Sequence, residues 1–75
     1  MPRLSKYFVV CIKNDGYDVS LERRKIYAAI SDESAARHGL VRVVDESGDD
    51  YLYPSECFAT IDLPASVRRA VLAAA

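Results

Sequence analysis

Between two β-rich runs, Leu40–Val44 and Tyr51–Tyr53, the chain carries Asp45-Glu46-Ser47-Gly48-Asp49-Asp50. Polar turn chemistry between two alternating segments commits this stretch to a β-hairpin. Pro54 follows directly and ends the ladder, because it has no N–H to donate. A further short strand then fits Cys57–Leu63, centred on Phe58, Thr60 and Ile61.

The amino-terminal half extends the same pattern. From Tyr7 to Ile12 apolar residues fill both alternating faces, Phe8, Val10 and Ile12 on one and Tyr7, Val9 and Cys11 on the other, as a central strand requires. Asn14-Asp15-Gly16 turns the chain, so this strand stops near Lys13. Tyr17–Arg24 has no sustained period and reads as a long loop. Lys25–Ile30 alternates as a half-buried strand, although Leu21–Ala29 also contains several good helix formers and a helix competes there. Ser31–Gly39 combines a capping Ser, early acids, late basic residues and a terminal Gly, which predicts one or two helical turns. Asp62-Leu63-Pro64 opens a second helix whose Val67 and Val71 lie at i and i+4, widened by Ala70 and Leu72. A helix of about ten residues is marginal alone in water, so the pattern predicts that it docks on the sheet. Fraying is expected at Ala73-Ala74-Ala75.

Seventy-five residues, 51% hydrophobic and 28% charged, leave room for one core. A domain of this size buries only about 60% of its extended-chain surface, so little remains for a deep pocket. The longest apolar run, Tyr7–Ile12, falls far short of the ~20 residues of a membrane helix, and Lys13 comes too soon for a secretory segment. A cytoplasmic protein without membrane contact is expected, with Cys11 and Cys57 as small buried thiols rather than a disulfide. The formal net charge of −1 gives no overall bias toward nucleic acid.

Strand, long polar loop, strand, acidic hairpin, Pro and a short last strand make an antiparallel meander of about five strands. So short a meander buries its apolar face best by curling into a barrel. Tyr51-Leu52-Tyr53-Pro54-Ser55-Glu56-Cys57-Phe58 resembles the SH3 segment in which a hydrophobic strand leads into Pro-Ser-Asn-Tyr and an apolar residue. Pro54 and Ser55 match it; Glu56 replaces Asn, and Cys57 replaces the Tyr that contacts ligand. Trp is absent, as is the Ala-Leu-Tyr-Asp-Tyr signature. The chain is thus similar to the SH3-like barrels, and more narrowly to small bacterial proteins of that fold without assigned activity. The resemblance implies a mainly β domain over residues 1–75, with a small antiparallel barrel at about 6–63 and a short C-terminal helix at about 64–73. It speaks to fold more than to function.

Chemistry-bearing constellations are sparse. His38 lies in Arg37-His38-Gly39 at a helix C-terminus, where it caps or meets water rather than acting as a base. Cys11, Cys57 and His38 have no metal-ligand spacing. The acidic hairpin lacks the EF-hand pattern and reads as a solvated tip that guards an edge, not as a calcium loop. Neither a catalytic residue, a metal nor a cofactor is assigned. If Leu52 faces the core, Tyr51 and Tyr53 point outward, and Tyr17 can join them with Pro54 at the end of the strand; Tyr7 or Tyr27 would extend that surface. Alternatively, the last helix covers these rings through Val67, Val71 and Leu72. The expectation is a non-catalytic interaction module that binds another protein or a second copy of itself. The alternative is an RNA- or ribosome-associated accessory factor that uses a basic patch of Arg23, Arg24, Lys25, Arg68 and Arg69.

Overall fold

The computed structural model describes residues 6–74, with side chains described for residues 6–70. The expectations for Val71 and Leu72 as packing side chains and for fraying at the final Ala75 fall outside these. Five strands are formed: β1 (Lys6–Cys11), β2 (Ile26–Ile30), β3 (Leu40–Val44), β4 (Asp50–Pro54) and β5 (Phe58–Ile61). The helices are α1 (Glu33–Arg37) and α2 (Ala65–Ala74), and a 3-10 turn at Ser55–Cys57 joins β4 to β5. Leu21–Arg24 stays in the loop and β2 follows, so the competing helix does not form.

All pairings are antiparallel, in the order β4-β3-β2-β1-β5. The protein is therefore mainly β, and this order is consistent with an SH3-like fold. β4 and β5 are the two end strands, and no ladder between them closes the sheet among the described residues. The sheet nonetheless wraps around its core. In a flat sheet these strands would stand about 19 Å apart, at ~4.8 Å per step. Instead, the rings of Tyr53 on β4 and Phe58 on β5 lie 6.2 Å apart between centroids. Val9, Cys11, Tyr27, Ala29, Val41 and Val43 fill the space between.

Several details differ from the pattern read in the sequence. β1 ends at Cys11 rather than near Lys13, because the N–H groups of Ile12 and Lys13 both turn to the Cys57 carbonyl, at 2.8 and 3.2 Å. The last strand begins at Phe58, since Ser55–Cys57 coils first. Asp32, not Ser31, caps α1: its Oδ1 accepts the Ala35 N–H at 3.0 Å. That bond, with the Arg42 guanidinium behind it, holds the Asp32 carboxyl below its ordinary range.

α2 corrects a larger expectation. Val67 is 43% exposed, so it is not the buried docking contact that the helical spacing predicts. The described contact runs through Arg68, whose guanidinium donates to the Lys6 carbonyl at 3.0 Å and lies 5.4 Å from the Phe8 ring centroid. Phe8, on the outer face of β1, is buried beneath it.

Candidate functional site

The long loop between β1 and β2 folds down against the β3–β4 hairpin. Leu21, 1% exposed, anchors it in the core, and Asn14 Nδ2 donates to the Leu21 carbonyl at 3.0 Å. Glu46 holds it from the hairpin side. Lys25 Nζ lies 2.6 Å from Glu46 Oε1, and the Tyr27 hydroxyl donates to the same oxygen at 2.9 Å while accepting the Glu22 N–H at 2.7 Å. Lys25 and Tyr27 together hold the Glu46 carboxyl below its usual range. Burial, and the neighbouring Glu46, push the Tyr27 phenol well up.

The hairpin has a three-residue loop, Glu46-Ser47-Gly48. Gly48 N–H returns to the Asp45 carbonyl at 3.0 Å and Asp45 N–H to the Asp49 carbonyl at 3.1 Å, with Gly48 at φ +87°. A type I turn followed by a left-handed residue gives this bulged connection. The Asp45 side chain folds inward: it is 7% exposed, and Oδ1 accepts the Ser47 N–H at 2.9 Å and the Ser47 hydroxyl. Oδ2 accepts the Tyr53 hydroxyl. Burial alone would raise the Asp45 pKa, but the Ser47 and Tyr53 donors outweigh it and hold the carboxyl below its ordinary range. Tyr53 is pushed up to about 12 by its burial and by the Asp45 carboxylate.

The expected outward pair of tyrosines is therefore corrected. Tyr53 is 4% exposed and faces the core, whereas Leu52 is 42% exposed on the outer face. The two rings do share a side of β4, but only Tyr51, beyond the edge of the core, reaches solvent, at 51% exposure. Tyr17 stands edge-on to Tyr53, with centroids 5.3 Å apart at 88°. Next to this pair lies an open recess of about 320 Å³ lined by Ser20, Asp45, Ser47, Tyr51, Leu52 and Tyr53. Pro54 is opposite Leu40 at the far end of β4, away from the recess lining.

The basic residues do not share one location. Arg24 N–H is bound to the Cys11 carbonyl at 2.7 Å, while the Arg68 guanidinium is bound to the Lys6 carbonyl. Lys6 and Cys11 are the two ends of β1, about 16 Å apart at ~3.3 Å per residue. Arg23 and Arg69 are exposed, and Lys25 is engaged by Glu46. Cys11 and Cys57 are buried free thiols whose pKa values burial pushes up, which disfavours the thiolate. His38 Nδ1 lies 2.8 Å from the Ser34 carbonyl at the end of α1. Among the described residues, no group of three or more His, Cys, Asp or Glu is arranged to hold a metal ion.

Sequence reasoning missed Asp45 and Ser47 as parts of the recess. The available signal was Asp45-Glu46-Ser47-Gly48, a turn whose leading Asp bonds the backbone two residues on. No family model, curated protein or solved structure matches the chain.

Proposed function

We propose that this protein is a non-catalytic, cytoplasmic interaction module, of the kind suggested by its resemblance to small bacterial SH3-like barrel proteins. The recess between the loop and β4 carries the reading. It sets an exposed Tyr51 and Leu52 beside a ring pair, Tyr17 and Tyr53, that is braced from below by Asp45. Tyr51 and the partly exposed Tyr17 offer contact area at low entropic cost, as protein-recognition surfaces require, while the buried Tyr53 ring stiffens the support beneath them. At about 320 Å³ and open, the recess suits a side chain of a partner better than a free metabolite.

The alternative is an RNA- or ribosome-associated factor using Arg23, Arg24, Lys25, Arg68 and Arg69. It draws less support, since these cations are divided between the two ends of β1 and two of them already have partners. Capture from native lysate, with and without nuclease, tests the two readings. The module reading expects nuclease-resistant capture that is lost in Tyr51→Ser. Capture that nuclease abolishes, and that Arg23→Ala/Arg24→Ala weakens, would replace it with the alternative.

A further inference from the structure

The hairpin hydrogen bonds fix which backbone groups of β4 are free. Asp45 N–H reaches the Asp49 carbonyl and Ser55 N–H reaches the Gly39 carbonyl, at 3.1 and 2.9 Å. These pairs bracket the ladder, in which Val43 faces Tyr51 and Val41 faces Tyr53. Hydrogen-bonded pairs alternate along an antiparallel ladder, so Tyr51 and Tyr53 direct their N–H and C=O groups at β3. Asp50, Leu52 and Pro54 direct theirs the opposite way. β4 is an end strand, so among the described residues these groups form an open edge with the N–H and C=O of Leu52 at its centre.

The recess lies along this same edge, and its chemistry favours a cation. Asp45 contributes a buried carboxylate held by three hydrogen bonds, all from neutral donors. Among the described residues no Lys, Arg or His forms an ion pair with it. Tyr51 and Tyr53 add aromatic lining, and Asp49 adds negative charge at the hairpin end of β4, where the Asp50 carboxylate is engaged by Arg42 at 2.9 Å. A guanidinium fits such a place doubly, since it donates to carboxylates and stacks on aromatic faces.

We propose that β4 accepts an extended segment of a partner protein as a sixth, added strand, with one arginine or lysine of that segment seated in the recess beside Asp45 and Tyr51. The partner backbone pairs with Leu52, and side-chain alternation along the added strand places every second residue on the recess side. Pro54 lacks an N–H and so limits the pairing at one end. This deepens the interaction-module reading and rests on it.

The test is an amide-resolved NMR titration with a capped hexapeptide of alternating Thr and Val that carries one central Arg, compared with the same peptide carrying citrulline. Expected are saturable shifts at Leu52 and Tyr51, and binding at least about tenfold weaker for citrulline, which keeps the shape and loses the charge. Leu52→Pro removes the central outward donor, leaving only that of Asp50 at the hairpin end, and keeps the ladder to β3 intact, so its spectrum should stay dispersed and the shifts should vanish. Should that variant not fold, the Arg peptide N-methylated at alternate residues, applied to the unmodified protein, must lose binding in one methylation register and keep it in the other. Absence of binding by the Arg peptide, indifference to citrulline, or shifts that bypass Leu52 would overturn the proposal. Concentration-dependent dimerisation that shifts the Leu52 amide would also overturn it, by assigning the edge to a second copy. The same variants separate this proposal from the broader reading. Lysate capture lost in Tyr51→Ser but kept in Leu52→Pro removes only the added strand, while capture indifferent to both removes the module reading itself.

Discussion

Tyr53 donates its hydroxyl to the buried carboxylate of Asp45, and this bond ties the floor of the recess to the turn that shapes it. Asp45 in turn holds Ser47 through both backbone and side chain. Asp45→Ala leaves a buried phenol and a turn amide without acceptors and should cost about 2–3 kcal/mol, measured by urea unfolding at pH 7. An unchanged midpoint would show that the hairpin does not depend on this carboxylate.

The same carboxylate makes stability depend on acid. Its folded pKa is depressed, so the stabilisation is fully present above the unfolded value of about 3.9 and is lost as pH falls through the folded value. Asp45→Asn should therefore lose less stability between pH 7 and pH 3 than the unmodified chain. Glu46 and Asp32, also depressed, retain part of the acid sensitivity. Parallel pH profiles for the two proteins would contradict the assignment.

Tyr27→Phe deletes the hydroxyl that accepts from Glu22 and donates to Glu46, two of the bonds pinning the long loop. A loss of about 1–2 kcal/mol is expected, together with faster hydrogen exchange at the Glu22 amide. Unchanged exchange there would mean that Leu21 alone holds the loop.

Gly48 occupies φ +87° and a Cβ placed on it would meet nothing within 4 Å. Gly48→Ala should therefore pay only the left-handed backbone penalty, about 1 kcal/mol by thermal or chemical unfolding. A stabilised variant would rule out the bulged turn.

Val67→Asp separates two views of α2. Helical spacing makes Val67 a docking residue, which an aspartate would ruin; in the structure it is half-exposed, and a change within about 0.5 kcal/mol is expected. By contrast, Val9→Ala, in the core, should cost about 2 kcal/mol. A large loss on Val67→Asp would restore the docked helix.

The legible parts of this fold are those where local chemistry and alternation agree. The β3–β4 hairpin follows from Leu40–Val44, Tyr51–Tyr53 and the acidic turn, and the five-strand meander follows from the remaining runs. The facing of β4 was harder to read, because Tyr51-Leu52-Tyr53 is apolar throughout and a shift of one residue reverses it. A usable signal lay on the partner strand: Arg42 faces outward, and Leu52 sits opposite it. Leu21 is a lone Leu in a polar stretch, and its burial arises from the loop folding over the core, which no periodicity encodes. The division of the basic residues also depends on tertiary structure, since Arg24 and Arg68 reach opposite ends of β1 from distant parts of the chain.

Amide hydrogen exchange along β4 tests most directly whether this strand offers a free edge beside the recess. Tyr51 and Tyr53 should exchange slowly and Leu52 quickly, in strict alternation with the ladder to β3. Slow exchange at Leu52 in the monomeric protein would show that the edge is already paired, and the binding surface proposed here would not exist.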